Sequence, residues 1–204
     1  MLKDRIKDRL NDRINESDRE ELFAGLRKLR IELQKLRKEN RDPEVEHNIH
    51  LLITELFIGT QLSPGLIRRI DEIPSKEVHY SRNENMADVP KSPAQAVQLG
   101  WDDSVGVSCH QFTSPDRTNV KFVSPDGHSE VIYNQEGNIV TASEDYGTYN
   151  FVDSRQDAVG HFYQDILPWL LWGNDETDST DMRQRLRALV VYGGVETIQT
   201  HLGE

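Results

Sequence analysis

The chain has 204 residues, enough for one ordinary domain or for a small domain with a helical extension, which excludes a large two-domain enzyme. Apolar side chains make up 36 % and charged ones 29 %, so the expected core is modest, and the net charge of −11 opposes non-specific binding of a phosphate backbone. With Cys109 the one cysteine, an intrachain disulfide, a zinc ribbon and a thiol pair are all excluded.

The charge is unevenly placed. Residues 1–41 hold 13 Lys/Arg against 9 Asp/Glu, whereas residues 42–204 hold 11 against 26. No apolar run reaches the length of a bilayer span, and none of 7–15 residues follows the opening Met1-Leu2-Lys3-Asp4-Arg5. Neither a membrane span nor a cleavable secretory signal is expected.

In chain order, Leu2, Ile6, Leu10 and Ile14 recur every four residues, and Ser17 or Asp18 caps the helix that follows. Leu22, Leu26, Leu29, Leu33 and Leu36 are spaced 4, 3, 4, 3, an a/d seam of two heptads. Asp42-Pro43 stops that helix, and a second apolar-faced segment runs from Glu44 to about Ile58, predicting a helical hairpin. Ser63-Pro64 opens a third helix, closed by Pro74. Residues 75–100 are polar, contain Pro90 and Pro93, and read as a surface linker with a turn or two of helix near Ser92–Leu99.

Beyond Gly100 the period becomes 2. Val105–Phe112, Asn119–Ser124, Glu130–Asn134, Asn138–Ala142 and Thr148–Val152 read as short strands of an antiparallel meander, with Pro125-Asp126-Gly127 and Gln135-Glu136-Gly137 as turns. A helix from about Arg155 to Leu167, broken near Pro168, and an amphipathic helix from Met182 to Tyr192 complete the pattern. The expected fold is α+β: an N-terminal helical hairpin (residues 1–74), a linker (75–100) and a small β-meander packed against C-terminal helices (101–204). Arg183, Arg185 and Arg187 alternate, share no helix face, and read as a solvated surface.

The chemistry-bearing residues concentrate between Asp126 and Asn174. His161 and Asp165 are four apart, so a helix places them together; a carboxylate one turn away orients an imidazole for general acid–base work, and equally makes a purely structural hydrogen bond. Gly160, just before the imidazole, points to a close approach to the backbone. Tyr149 and Asn150, beside Gly147, offer a phenol and a carboxamide for an oxyanion or phosphate, or else serve the turn and the sheet. His128 and Glu130 are two apart, so on a strand they share a face with Ile132; with Lys121 next door they form a reserve set able to take a ribose 2′-hydroxyl proton without a metal. Adjacent Cys109 and His110 point oppositely on a strand, which disfavours a nucleophile–base pair. His47 and His50 have metal-compatible spacing but no third ligand, so neither metal nor cofactor is expected. Asn174, after Gly173, reads as a helix C-cap.

The strings Asn-Val-Lys-Phe-Val-Ser-Pro-Asp-Gly from Asn119, Glu-Val-Ile-Tyr-Asn from Glu130, Gly-Thr-Tyr-Asn-Phe from Gly147 and Gly-His-Phe-x-x-Asp-x-x-Pro-Trp-x-x-Trp-Gly-Asn from Gly160 resemble the C-terminal effector modules of bacterial polymorphic toxins of the Rhs type and its relatives. The resemblance covers about residues 119–174. It implies a protein made in the bacterial cytoplasm, delivered by a secretion system into a competitor cell, enzymatic attack there, and a cognate immunity protein in the producer. Its motif residues fall on Tyr149, Asn150, His161 and Asp165. The expected activity is a metal-independent hydrolase, nominally a ribonuclease acting on RNA or a nucleotide, with residues 1–74 docking a delivery or chaperone protein. The strongly acidic effector half stands against the basic character common in nucleases. The alternative is a non-catalytic interaction protein that docks a partner through the leucine seam.

Overall fold

The computed structural model describes residues 16–61, 73–84, 88–103 and 108–191. The apolar series from Leu2 to Ile14, the helix expected over residues 63–73 except its last residue, and the first part of the Val105–Phe112 segment lie outside them.

Helix α1 (Glu16–Glu39) carries the leucine seam, and Leu22, Leu29, Leu33 and Leu36 are buried. The chain turns at Asn40 and Asp42: Asn40 Oδ1 accepts the Asp42 N–H at 3.0 Å, and Asp42 Oδ1 caps α2 (Pro43–Gln61) by accepting the Glu44 N–H at 2.9 Å. Val45, Ile49 and Leu52 of α2 join the seam in one hydrophobic cluster. That cluster continues into Phe162, Leu167, Leu170, Leu186 and Leu189 of the C-terminal helices. The hairpin therefore shares its core with the C-terminal half, and the seam is covered by the chain's own helices. The boundary expected at residues 75–100 is not a gap in the packing.

Within the expected linker, Lys76–Glu84 forms helix α3, capped by Ser75 Oγ, which accepts the Val78 N–H at 3.3 Å. Its polar composition hides its purpose. Positions 79, 80 and 83 share a face, and all three side chains reach backbone carbonyls at the end of another helix. His79 Nε2 lies 2.9 Å from Gly173 O, Tyr80 Oη donates to Trp172 O at 2.9 Å, and Asn83 Nδ2 donates to Asn174 O at 2.8 Å. Arg185 serves the two preceding carbonyls, Leu170 O at 3.1 Å and Leu171 O at 3.3 Å. Three carbonyls at the end of that helix, Leu170 to Trp172, and the two that follow it are thus satisfied by side chains. Burial lowers the His79 pKa and so favours the neutral ring, while the Gly173 carbonyl acts in the opposite sense.

Helix α4 (Pro93–Gln98), capped by Ser92, lies beside the sheet. The sheet has two antiparallel strands, β1 (Val120–Val123) and β2 (Glu130–Tyr133), in the register Val120↔Tyr133 and Val123↔Glu130. One face carries Phe122, Val131 and Tyr133 into a second cluster with Ala96. The other carries Lys121, Val123, Glu130 and Ile132. The expected meander of three to five strands is shortened: Ile139 and Tyr149 make only isolated bridges, to Tyr133 and Ser129, and Ser108–His110 is a 3₁₀ turn rather than a strand. That turn packs against the last helix.

Helix α5 (Ala158–His161) runs through a π-helical turn (Phe162–Ile166) into α6 (Leu167–Trp172). Pro168 has no N–H for the carbonyl one turn back and its ring crowds that carbonyl, so the turn widens and the Leu167 N–H reaches Phe162 O instead of the helix breaking. Helix α7 (Met182–Val191) closes the core. Of its arginines, Arg187 is exposed and Arg183 half-buried, both pairing with Glu39 at the surface as a solvated face would, while Arg185 departs from that expectation and is buried on the α6 carbonyls. The molecule is α+β.

Candidate functional site

The segment Gly147–Val152 is where the candidate residues converge. It runs along β2, with Glu130 N–H donating to Thr148 O at 3.0 Å and Asn150 N–H to His128 O at 2.7 Å. The approach is so close that a Cβ built on Gly147 would lie 2.1 Å from Glu130 O. Because the segment is extended, its side chains alternate: Thr148 and Asn150 turn inward to Glu130, while Tyr149 and Phe151 turn to the opposite side.

On the inward side Glu130 is buried and fully engaged. Its Oε1 accepts from Lys121 Nζ at 3.1 Å and Asn150 Nδ2 at 2.9 Å; its Oε2 faces His110 Nε2 at 3.2 Å and accepts from Thr148 Oγ1 at 3.3 Å. Burial alone would raise the carboxyl, but the Lys121 ammonium, then His110 and Asn150, hold it well below the usual carboxylate range. The other His110 nitrogen, Nδ1, is buried and has no hydrogen-bond partner among the described residues. Burial pushes the neighbouring Cys109 thiol up to about 12, so it does not act as a thiolate nucleophile near neutral pH.

Beyond the segment, its backbone is held by the second carboxylate. Asp165 Oδ1 accepts the Phe151 N–H at 2.7 Å and Oδ2 accepts the Val152 N–H at 3.2 Å. The same Oδ2 lies 3.0 Å from His161 Nδ1, which also lies 2.9 Å from Val152 O. The four-residue spacing thus survives the π-helical turn. Gly160 is explained by the helix cap: Asp157 Oδ1 accepts its N–H at 2.8 Å, and an added Cβ would lie 2.5 Å from Asp157 Oδ2.

The structure unites His161 with Asp165 but places Tyr149 elsewhere. The Tyr149 ring stacks on His128, with centroids 5.6 Å apart and planes 10° from parallel. His128 and Glu130 do not share a face as expected. Asp126 accepts the His128 N–H at 3.1 Å, which holds residue 128 in the turn before β2, and the imidazole Nδ1 meets Asn150 O at 2.8 Å. Asn150 bridges the two groups, its carbonyl to His128 and its carboxamide to Glu130. Asn174 is not a simple cap: its side chain donates to Ser143 O at 2.9 Å.

Three participants escape sequence reasoning. His110 sits in an unforeseen 3₁₀ turn. Asp145, fully buried, accepts the N–H groups of Phe112 and Thr113 at 2.7 and 2.5 Å and so fixes the loop after His110. Arg82, from the supposed linker, lays its guanidinium 3.4 Å from the Phe151 ring centroid and 5.3 Å from that of Tyr149. An Arg followed by a buried Asn on a polar helix carries no distinguishing pattern.

Among the described residues no group of three His, Cys, Asp or Glu is arranged to hold a metal ion, and His47 and His50 are exposed on α2. Among the same residues no helix is long and apolar enough to cross a membrane. Comparisons with family models, curated proteins and solved structures find no match to the chain.

Proposed function

We propose that the chain is an antibacterial effector of the polymorphic-toxin kind, a metal-independent hydrolase of RNA in which His161 Nε2 is the general base. One observation carries this reading: His161 Nδ1 faces the Val152 carbonyl and the Asp165 carboxylate together. A carbonyl only accepts, so Nδ1 bears the proton, and in the neutral ring the lone pair belongs to Nε2. Asp165 is itself held by two backbone N–H groups, so the orientation of the imidazole is built into the fold.

In the reaction Nε2 takes the ribose 2′-hydroxyl proton as O2′ attacks the adjacent phosphorus. The bond from phosphorus to the 5′ oxygen breaks, that oxygen leaves with a proton taken from water, and a 2′,3′-cyclic phosphate remains while the His161 imidazolium returns its proton to solvent. The resemblance around Gly147–Phe151 and Gly160–Asp165 supports the effector assignment and implies an immunity protein as partner. Since the leucine seam lies in the chain's own core, a delivery protein is expected to use other surfaces of the N-terminal helices.

The test is expression of the 204-residue chain in a susceptible bacterium, with RNA integrity followed over time. His161→Ala is expected to lower the cleavage rate by about 10²–10⁴-fold. His161→Gln, which retains a donor toward Asp165, is expected to be equally slow while keeping the wild-type near-ultraviolet circular dichroism. A folded variant that degrades RNA at the wild-type rate removes His161 from the chemistry.

A further inference from the structure

The outward side of the Gly147–Val152 segment carries a group of side chains that the hydrolase reading leaves unused. Arg82, His128, Tyr149 and Phe151 come from three separate parts of the chain, and the three ring-bearing residues are fixed from behind. His128 is held through Nδ1 by Asn150 O at 2.8 Å, Tyr149 N–H donates to Asn83 Oδ1 at 3.3 Å, and Phe151 N–H donates to Asp165 Oδ1 at 2.7 Å. Arg82 is exposed, and the other three are half-buried. The guanidinium rests on the Phe151 face, the Tyr149 and Phe151 rings are near-perpendicular with centroids 6.3 Å apart, and His128 stacks on Tyr149.

In such a ledge the rings are partly covered by one another, and the charge resting on them faces solvent. A guanidinium flattened on a ring keeps its second face for a nucleobase and its N–H edge for a phosphate. The His128 ring, with Nδ1 committed inward, turns Nε2 outward as a further polar contact. The same segment supplies the Phe151 N–H that holds Asp165, so one residue joins the ledge to the His161 pair. We infer that Arg82, supported by Phe151 and Tyr149 and flanked by His128, binds the phosphate and stacks a base of single-stranded RNA, positioning the strand for His161. This deepens the hydrolase reading and rests on it for the polymer's being the substrate. The acidic body repels a duplex along its length, so binding is confined to this ledge and favours unpaired strands.

The experiment measures fluorescence anisotropy of a labelled single-stranded RNA decamer with the full chain carrying His161→Gln, which separates binding from cleavage. Adding Arg82→Ala is expected to weaken binding about tenfold or more and to reduce the salt slope by about 1. Arg82→Lys is expected to recover only part of the affinity, because it restores charge without the planar fork. The exposed position of Arg82 leaves the thermal midpoint near that of the parent, which controls for folding. Equal affinity of the Arg82→Ala chain, full rescue by lysine, or equal binding of an RNA duplex would each overturn the inference. Arg82-dependent binding in a chain that cleaves nothing would leave the ledge standing and remove the hydrolase. Cleavage indifferent to Arg82 would do the reverse.

Discussion

Glu130→Ala is expected to lower the unfolding free energy by about 3–5 kcal/mol, the usual cost of removing one member of a buried ion pair. The loss does not come from the carboxylate alone. Lys121 Nζ, Asn150 Nδ2 and His110 Nε2 all point at it from buried positions; the first and last lose their acceptor, and Asn150 keeps only Gly127 O at 3.3 Å. Adding Lys121→Met should recover part of the loss, because the most expensive orphan is then removed. Urea titration at neutral pH measures both steps. A Glu130→Ala midpoint equal to wild type would mean that the network contributes nothing to the fold.

The same group sets an acid limit. Its folded-state pKa is depressed, so the unfolded chain binds the extra proton, and stability falls as the pH drops below the ordinary carboxyl range of about 4.3 toward the folded-state value. Above that range the contribution is complete. Glu130→Gln should therefore flatten the acid limb of the stability profile while lowering its plateau.

Gly147→Ala is the second large expected effect, a loss of about 3 kcal/mol or more, at the upper end for an inserted methyl group. The added carbon meets the backbone of β2: Glu130 O at 2.1 Å, Glu130 C at 2.5 Å and Val131 Cα at 2.8 Å. A side chain at such a position would turn aside, but a strand in a ladder has no such freedom. Relief requires the 147–152 segment to lift from β2, which withdraws Asn150 from Glu130 and the Phe151 and Val152 N–H groups from Asp165. RNA cleavage and stability should fall together in this variant, whereas His161→Gln should lose cleavage alone. A Gly147→Ala chain with the wild-type thermal midpoint would contradict the observed approach of the two segments.

What the sequence discloses here depends on the kind of signal. The leucine seam, the hairpin stop at Asp42-Pro43 and the paired strands about Pro125-Asp126-Gly127 are local patterns with one periodicity, and they appear where expected. The pairing of His161 with Asp165 is legible for the same reason. Helix α3 is not, because its buried face is polar: His79, Tyr80 and Asn83 are inside to serve carbonyls of another helix, and no apolar stripe announces them. Arg185 is hidden likewise, a charged residue turned inward by carbonyls fifteen residues earlier in the chain. The separation of Tyr149 from His161 follows from alternation along an extended segment whose orientation only tertiary pairing decides. Glu130 was visible as a candidate, but its partner His110 lies in a turn that strand propensity obscured.

The most direct measurement is the imidazole ¹⁵N spectrum of His161 in the folded chain, at a pH where the ring is neutral, with His161→Gln to assign it. Proton on Nδ1 and lone pair on Nε2 is the expected tautomer, fixed by the Val152 carbonyl and Asp165. The opposite tautomer, with Nε2 protonated, would contradict the proposed base.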